Sequence, residues 1–241
     1  MHRAALAAAG LEDWSYQRLP VPPELFAETA RALGAAGFRG ANVTIPHKEA
    51  ALAVADDATD AARAIGAANT LTFADGTVHA DNTDAAGLIA ALGRDTRGMS
   101  ALVLGAGGAG RAAAWALREA GAGVSVWNRT TERAEALAAD LGVASVEAPV
   151  GAELVVNATS VGLRPGDPIE DLPVAWIDPP RLAVELVYGE HETPFSAWAQ
   201  SVGAPLVDGL EVLVRQGALS FERWTGAEAP LDAMRAAARA A

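Results

Sequence analysis

The chain has 241 residues, enough for one large domain or two small ones with a full core. Half of its residues are hydrophobic, yet no stretch of eighteen is free of charge, so no membrane span is expected. The absence of cysteine excludes disulfides, thiol catalysis and cysteine metal sites, and the net charge of −12 argues against a nucleic-acid surface.

The opening "MHRAALAAAGLED" meets acid too early for a signal peptide and reads as an amphipathic helix over 2–10, so a cytoplasmic chain is expected. Residues 14–21 alternate enough for a strand. Pro22 and Pro23 open a helix through about Leu33. Residues 38–45 end as a strand, Pro46 begins a helix through about Val54, and another helix runs from about Asp57 to Ile65. Residues 68–81 read as a hairpin around Asp75-Gly76. A helix runs from Thr83 to Leu92.

The texture changes near residue 100. Strands near 100–104, 123–128 and 153–159 alternate with helices of ten to fifteen residues, which implies a parallel, doubly wound α/β sheet. Residues 208–224 form a strong amphipathic helix with Leu210, Leu213, Val214, Phe221 and Trp224 on one face, and a last helix closes the chain.

"GAGGAG" places Gly105, Gly107 and Gly110 in G-x-G-x-x-G register, between a hydrophobic strand and a helix. That context turns a weak pattern into a dinucleotide-binding signal. Gly105 permits a tight turn, Gly107 the close approach of a pyrophosphate, and Gly110 close helix–strand packing, with the helix N-terminus facing the phosphates. Ala106, Gly108 and Ala109 complete the loop. At the end of the next strand, NAD sites usually carry an acid for the ribose hydroxyls. Here Asn128, Arg129 and Thr130 stand there, with no acid until Glu132 and with Arg133 one turn on. The arginines suit a 2′-phosphate, which a carboxylate would repel, so NADP is expected.

Lys48 is the only lysine, and the other cationic side chains are arginine. Arginine holds its proton near neutral pH, whereas lysine is able to exchange one. Lys48 is expected in the first turn of a helix, where a cation opposes the helix dipole; this is poor for stability and useful for proton transfer. Asp84 opens another helix after another strand, where it is read either as a plain N-cap or as a partner for the amine.

The motifs "NVTIPHK" (42–48), "GAANT" (66–70), "DNTDAAG" (81–87), "GAGGAGRA" (105–112), "NRTTERA" (128–134), "NATSVG" (157–162), "VYGEHETPF" (187–195) and "DGLEVLVRQGA" (208–218) stand in one order. In that order the chain resembles the shikimate dehydrogenases over nearly its whole length. The resemblance implies two domains. A substrate domain (1–84 with 209–241) has the C-terminal helices returning to it, and a Rossmann-type NADP domain covers 85–208. It implies reversible oxidation of shikimate to 3-dehydroshikimate, within chorismate and aromatic amino-acid biosynthesis. Lys48 and Asp84 are implied as the catalytic pair, and Thr44, Asn69, Tyr188 and Gln216 as substrate contacts. Asn128, Arg129 and Arg133 are implied as the NADP-phosphate clamp, and Thr159 and Ser160 as neighbours of the nicotinamide. The implied partner is small-molecule shikimate, for a monomer or homodimer. Quinate or aminoshikimate dehydrogenase activity, or NADP(H) binding without turnover, are the alternatives.

Two departures stand out. The family usually begins with a strand and an S-x-S-P loop whose serines bind the substrate carboxylate, and this chain begins at Met1-His2, after that loop. Either the natural protein is longer, or the chain is short with weakened carboxylate binding. Glu185 stands where the family more often has Asp.

Overall fold

The computed structural model describes residues 1–189 and 191–240. The chain divides into two compact units, residues 1–87 with 214–241 and residues 88–213.

The first unit opens with α1 (His2–Ala8), then a short 3-10 turn (Pro23–Leu25) leading into α2 (Phe26–Ala35). There follow β1 (Gly40–Asn42), α3 (Lys48–Val54), β2 (Asp57–Ala58), α4 (Asp60–Ile65), β3 (Thr70–Ala74) and β4 (Thr77–Asp81). The four strands form a sheet in the order β1-β3-β4-β2, with β2 parallel to β4 and the other pairs antiparallel. The hairpin expected at Asp75-Gly76 is present. Both turn residues have positive φ, 51° and 76°, which a two-residue type I′ turn demands. Phe26, Ala30, Ala51 and Val54 from α2 and α3 cover Leu71, Phe73, Val78 and Ala80 of the sheet.

Three expectations shift here. Residues 14–21 form no strand; prolines at 20, 22 and 23 lack the N–H groups that a ladder needs. The helix expected from Pro46 starts at Lys48 instead, after a turn closed by His47 N–H to Thr44 C=O at 2.9 Å. Asp57 and Ala58 pair with β4, so α4 starts only at Asp60, where the Thr59 hydroxyl accepts from Ala62 N–H at 3.2 Å.

Next come α5 (Thr83–Leu92), β5 (Ser100–Leu104), α6 (Gly108–Glu119), β6 (Gly123–Trp127), α7 (Thr131–Leu141), β7 (Ala144–Ser145), β8 (Leu154–Asn157), β9 (Leu182–Glu185), α8 (Pro194–Ser201) and β10 (Leu206–Val207). The chain ends with α9 (Gly209–Thr225) and α10 (Leu231–Arg239). Among the described residues, the strands of the second unit make a six-stranded sheet in the order β10-β9-β8-β5-β6-β7, parallel throughout. Counted from β5, this is the doubly wound order 3-2-1-4-5-6, whose switch point lies between β5 and β8.

Both faces of this sheet are covered, which explains why β8 and β9 are buried at every position. Val103, Leu154, Val156 and Val184 meet Leu117 of α6 and Leu137 of α7 on one face. Leu102, Leu104, Val155 and Ala183 meet Phe195 and Ala199 of α8 on the other. In the first unit, Val214, Ala218 and Phe221 of α9 pack with Ala5 and Leu6 of α1 and Met234 of α10. The apolar face of α9 is broader than the expected stripe. Leu210 and Leu213 are only half-buried, while Val212 and Gln216 are buried.

Candidate active site and cofactor loop

Backbone pairing places the first group of polar residues. The register brings Asn42, Thr70 and Asp81 into one row across β1, β3 and β4. The ladder continues one residue further, with Val43 N–H donating to Asn69 C=O at 2.7 Å and Asn69 N–H to Asp81 C=O at 3.0 Å. Ala68 N–H donates to Lys48 C=O at 2.8 Å, which ties the first residue of α3 to the same strand end. Asn69 Oδ1 accepts from Thr83 N–H at 2.7 Å, which fixes the start of α5.

Asp84 follows in the first turn of α5, but it is not the cap. Asn82 has that task, its Oδ1 accepting from Ala85 N–H at 3.2 Å. The Asp84 carboxylate is thereby free for side chains. Lys48 Nζ donates to Asp84 Oδ2 at 2.7 Å, and Asn69 Nδ2 donates to Asp84 Oδ1 at 2.8 Å. The side chains of Lys48 and Asp84 are 14% and 20% exposed, so the pair is shielded yet still open to a ligand. Asn69 Nδ2 also lies 3.1 Å from Gln216 Oε1, which is buried on α9. A Cβ at Gly87 would lie 2.7 Å from Gln216 Cβ, so this glycine is what lets α5 approach α9 closely.

The structure thus brings together Lys48, Asn69, Asp84 and Gln216. Thr44 is exposed and contributes its carbonyl to the turn before α3. Two residues that sequence reasoning missed complete the cluster: Thr83, whose hydroxyl accepts from Asn69 Nδ2 at 3.0 Å, and Thr70, 3.1 Å from the Thr83 hydroxyl. Their adjacency in sequence to Asn69 and Asp84 was the available signal.

The glycine loop lies at the end of β5, beside the switch point. Gly105 has φ +108°, and a Cβ there would lie 2.7 Å from Ala158 C=O, in the residue following β8. A Cβ at Gly110 would lie 2.0 Å from Gly105 C=O, so Gly110 holds α6 against the turn. A Cβ at Gly107 would meet nothing within 4 Å. Gly107 is the extended N-cap of α6 and places no side-chain oxygen over the first-turn N–H groups. Gly105 and Gly110 therefore serve the protein's own packing, whereas the space at Gly107 is open to a phosphate. Ala106, Gly108 and Ala109 form the rest of this loop and the first turn of α6.

Asn128 follows β6. Its Oδ1 accepts from Ala106 N–H at 3.2 Å and its Nδ2 donates to Thr130 C=O at 2.9 Å, so it braces the glycine loop against the next turn. Arg129 is 80% exposed and meets Asp171 only at 3.9 Å, a contact weak enough for a ligand phosphate to replace. Arg133 is exposed on α7. The residues present therefore fit a dinucleotide carrying a 2′-phosphate.

Models of known families match three stretches of the chain. These are the shikimate dehydrogenase substrate binding domain (residues 1–71), shikimate / quinate 5-dehydrogenase (88–157) and the shikimate 5′-dehydrogenase C-terminal domain (209–239). The chain is 46% identical to the shikimate dehydrogenase (NADP(+)) of Paracoccus denitrificans, over 90% of this chain and 82% of that one. It is 45% identical to that of Thermus thermophilus, over 100% and 92%.

The chain belongs to the shikimate dehydrogenase family.

A crystal structure of the Thermus thermophilus shikimate 5-dehydrogenase in complex with NADP(H) and shikimate has a TM-score of 0.88 to this chain at 42% identity, covering 99% of this chain and 92% of that one. The two-domain shikimate dehydrogenase architecture, with its Rossmann-type parallel sheet, is therefore the fold of this chain.

The remaining residues singled out from the shikimate dehydrogenase motifs lie at the strand ends of the second unit. Thr159 is engaged in turn chemistry, its hydroxyl donating to Asn157 Oδ1 at 2.8 Å and accepting from Val161 N–H at 3.1 Å. Ser160 is exposed beside it. Tyr188 is half-exposed, three residues beyond β9. Glu185 at the end of β9 is 2% exposed and surrounded by donors. Burial pushes its carboxyl above the usual range, against the lowering effect of hydrogen bonds from Thr193, Val187 and Asn157.

Proposed function

We infer that the chain is an NADP-dependent shikimate dehydrogenase that interconverts shikimate and 3-dehydroshikimate. The observation that carries this reading is the chain of contacts from Lys48 through Asp84 to Asn69, at 2.7 and 2.8 Å. Such a constellation suits general acid–base work, because a lysine held by a carboxylate has a fixed direction for its proton.

NADP+, when bound, supplies the hydride acceptor. Gly107 and the first turn of α6 would hold its pyrophosphate, and Asn128, Arg129, Thr130 and Arg133 would surround the adenosine 2′-phosphate. Thr159 and Ser160 would face the nicotinamide. Lys48 would take the hydroxyl proton of the substrate in the oxidation and return it in the reduction. Asp84 orients the ammonium and accepts from a substrate hydroxyl. Thr44, Asn69, Tyr188 and Gln216 hold the remaining substituents. The cofactor reading is supported by the arginines at the end of β6, where no acid precedes Glu132, and by the relatives described as NADP(+) enzymes.

The test is NADPH appearance with NADP+ and shikimate, with quinate and NAD+ as parallel arms. Turnover preferring shikimate and NADP+ is expected. A folded, NADPH-binding sample without turnover overturns the catalytic reading, and a preference for quinate moves the substrate to the other member of the shikimate/quinate pair.

A further inference from the structure

We propose that Glu185 is a positioning residue for hydride transfer, one carboxylate that sets both the Thr159 turn and the segment leading to Tyr188; the proposal rests on the function read above. Asn157 and Glu185 are register partners at the ends of the parallel neighbours β8 and β9. Asn157 is fully buried and Thr193 is 5% exposed.

Among the described residues, Asn157, Val187 and Thr193 donate to the carboxylate. Glu185 Oε1 accepts from Asn157 Nδ2 at 2.9 Å and from Val187 N–H at 2.9 Å, and Oε2 accepts from the Thr193 hydroxyl at 2.6 Å. Because the acid draws the Nδ2 end of Asn157 toward itself, the Oδ1 end faces the other way. There it accepts from Thr159 N–H at 3.1 Å and from the Thr159 hydroxyl at 2.8 Å. The bond to Val187 N–H fixes the backbone one residue before Tyr188. The bond to Thr193 ties the same acid to the cap of α8, where the Thr193 hydroxyl accepts from Ser196 N–H at 3.0 Å. A single acceptor thus joins three loop segments at the carboxyl end of the sheet. A neutral amide in its place keeps one acceptor oxygen instead of two, so it does not serve Asn157 Nδ2, Val187 N–H and the Thr193 hydroxyl together, and the hold on the Asn157 carboxamide weakens.

The experiment compares wild type, Glu185→Asp and Glu185→Gln for kcat, for KM of shikimate, for NADPH dissociation constant and for thermal unfolding. The expected order of kcat is wild type, then Asp, then Gln. Gln is expected to lose about 10- to 100-fold and Asp about three- to tenfold, because small misplacements of reacting groups carry costs of this size. NADPH affinity, set by the glycine loop and the arginines, should stay within about twofold in both. A Gln variant with wild-type kcat overturns the proposal, as do parallel losses of kcat, NADPH affinity and folding in both variants. If Gln fails to fold, Asp decides: reduced kcat with unchanged NADPH affinity supports the proposal and unchanged kcat refutes it. Wild type without turnover defeats the functional reading itself and the proposal with it, an outcome distinct from an active wild type whose variants are unaffected.

Discussion

Lys48 Nζ lies 2.7 Å from Asp84 Oδ2, although the two residues are 36 positions apart and stand in the first turns of different helices. The pair is largely shielded, with side-chain exposures of 14% and 20%. Removing either partner should therefore act on chemistry before it acts on cofactor binding. Lys48→Met and Asp84→Asn are each expected to lower kcat about 10²- to 10⁴-fold, the range for a lost general acid–base group. NADPH binding by fluorescence should be unchanged. A Lys48→Met enzyme with near-normal kcat would remove Lys48 from the mechanism.

The three glycines of the loop should separate by mechanism. Gly110→Ala would drive a Cβ to 2.0 Å from Gly105 C=O, and Gly105→Ala would combine a close contact of 2.7 Å with φ +108°. Both should lower the melting temperature, each by an amount equivalent to about 1–3 kcal/mol. Gly107→Ala meets nothing within 4 Å, so the fold should hold while NADPH affinity falls. Equal melting temperatures with equal affinity losses for all three would contradict this division.

Arg129 and Arg133 should govern cofactor choice. A charge-assisted hydrogen bond contributes about 1.5–3 kcal/mol, or roughly ten- to hundredfold in affinity. Arg129→Ala with Arg133→Ala is expected to raise KM for NADP+ by at least that factor and leave KM for NAD+ nearly unchanged. The loss should shrink at high salt, because both side chains are exposed. Steady-state kinetics with both cofactors at two ionic strengths reads this directly; parallel changes for NADP+ and NAD+ would exclude the 2′-phosphate as the target.

His2 supplies a pH prediction for stability. Burial lowers its pKa from 6.5 to about 4, and its ring stacks on Tyr16 at a centroid distance of 4.4 Å. The folded state therefore keeps this imidazole neutral where the unfolded chain protonates it. The contribution to stability is fully present above pH 6.5 and is lost progressively as pH falls toward 4. The total loss is of the order of 3 kcal/mol. Denaturant unfolding between these limits should show it, and His2→Gln should flatten that part of the profile. An identical profile for the variant would assign the acid sensitivity to other groups.

Local periodicity made most elements legible. The hairpin at Asp75-Gly76, the helix from Thr83 to Leu92 and the alternating strands and helices after residue 100 depend on neighbours in sequence, so their signals are carried by short windows. Where a ladder or a cap decided, local reading failed. Residues 14–21 alternate without a partner strand, and α3 starts two residues after Pro46 because the turn between them is closed by the backbone.

By itself, the sequence determined the doubly wound class, the glycine loop at a strand–helix junction, the absence of an acid at the end of β6 and the singular Lys48. Each of these is a property of residue type at a fixed local spacing. Only the tertiary structure decided that Asn69 reaches Asp84 and also Gln216, 147 positions away. It alone showed that Asn82 rather than Asp84 caps α5, leaving the acid for Lys48, and that Glu185 is buried among donors. These arrangements follow from sheet register and helix packing, which set the direction of a side chain through contacts that no window of sequence contains.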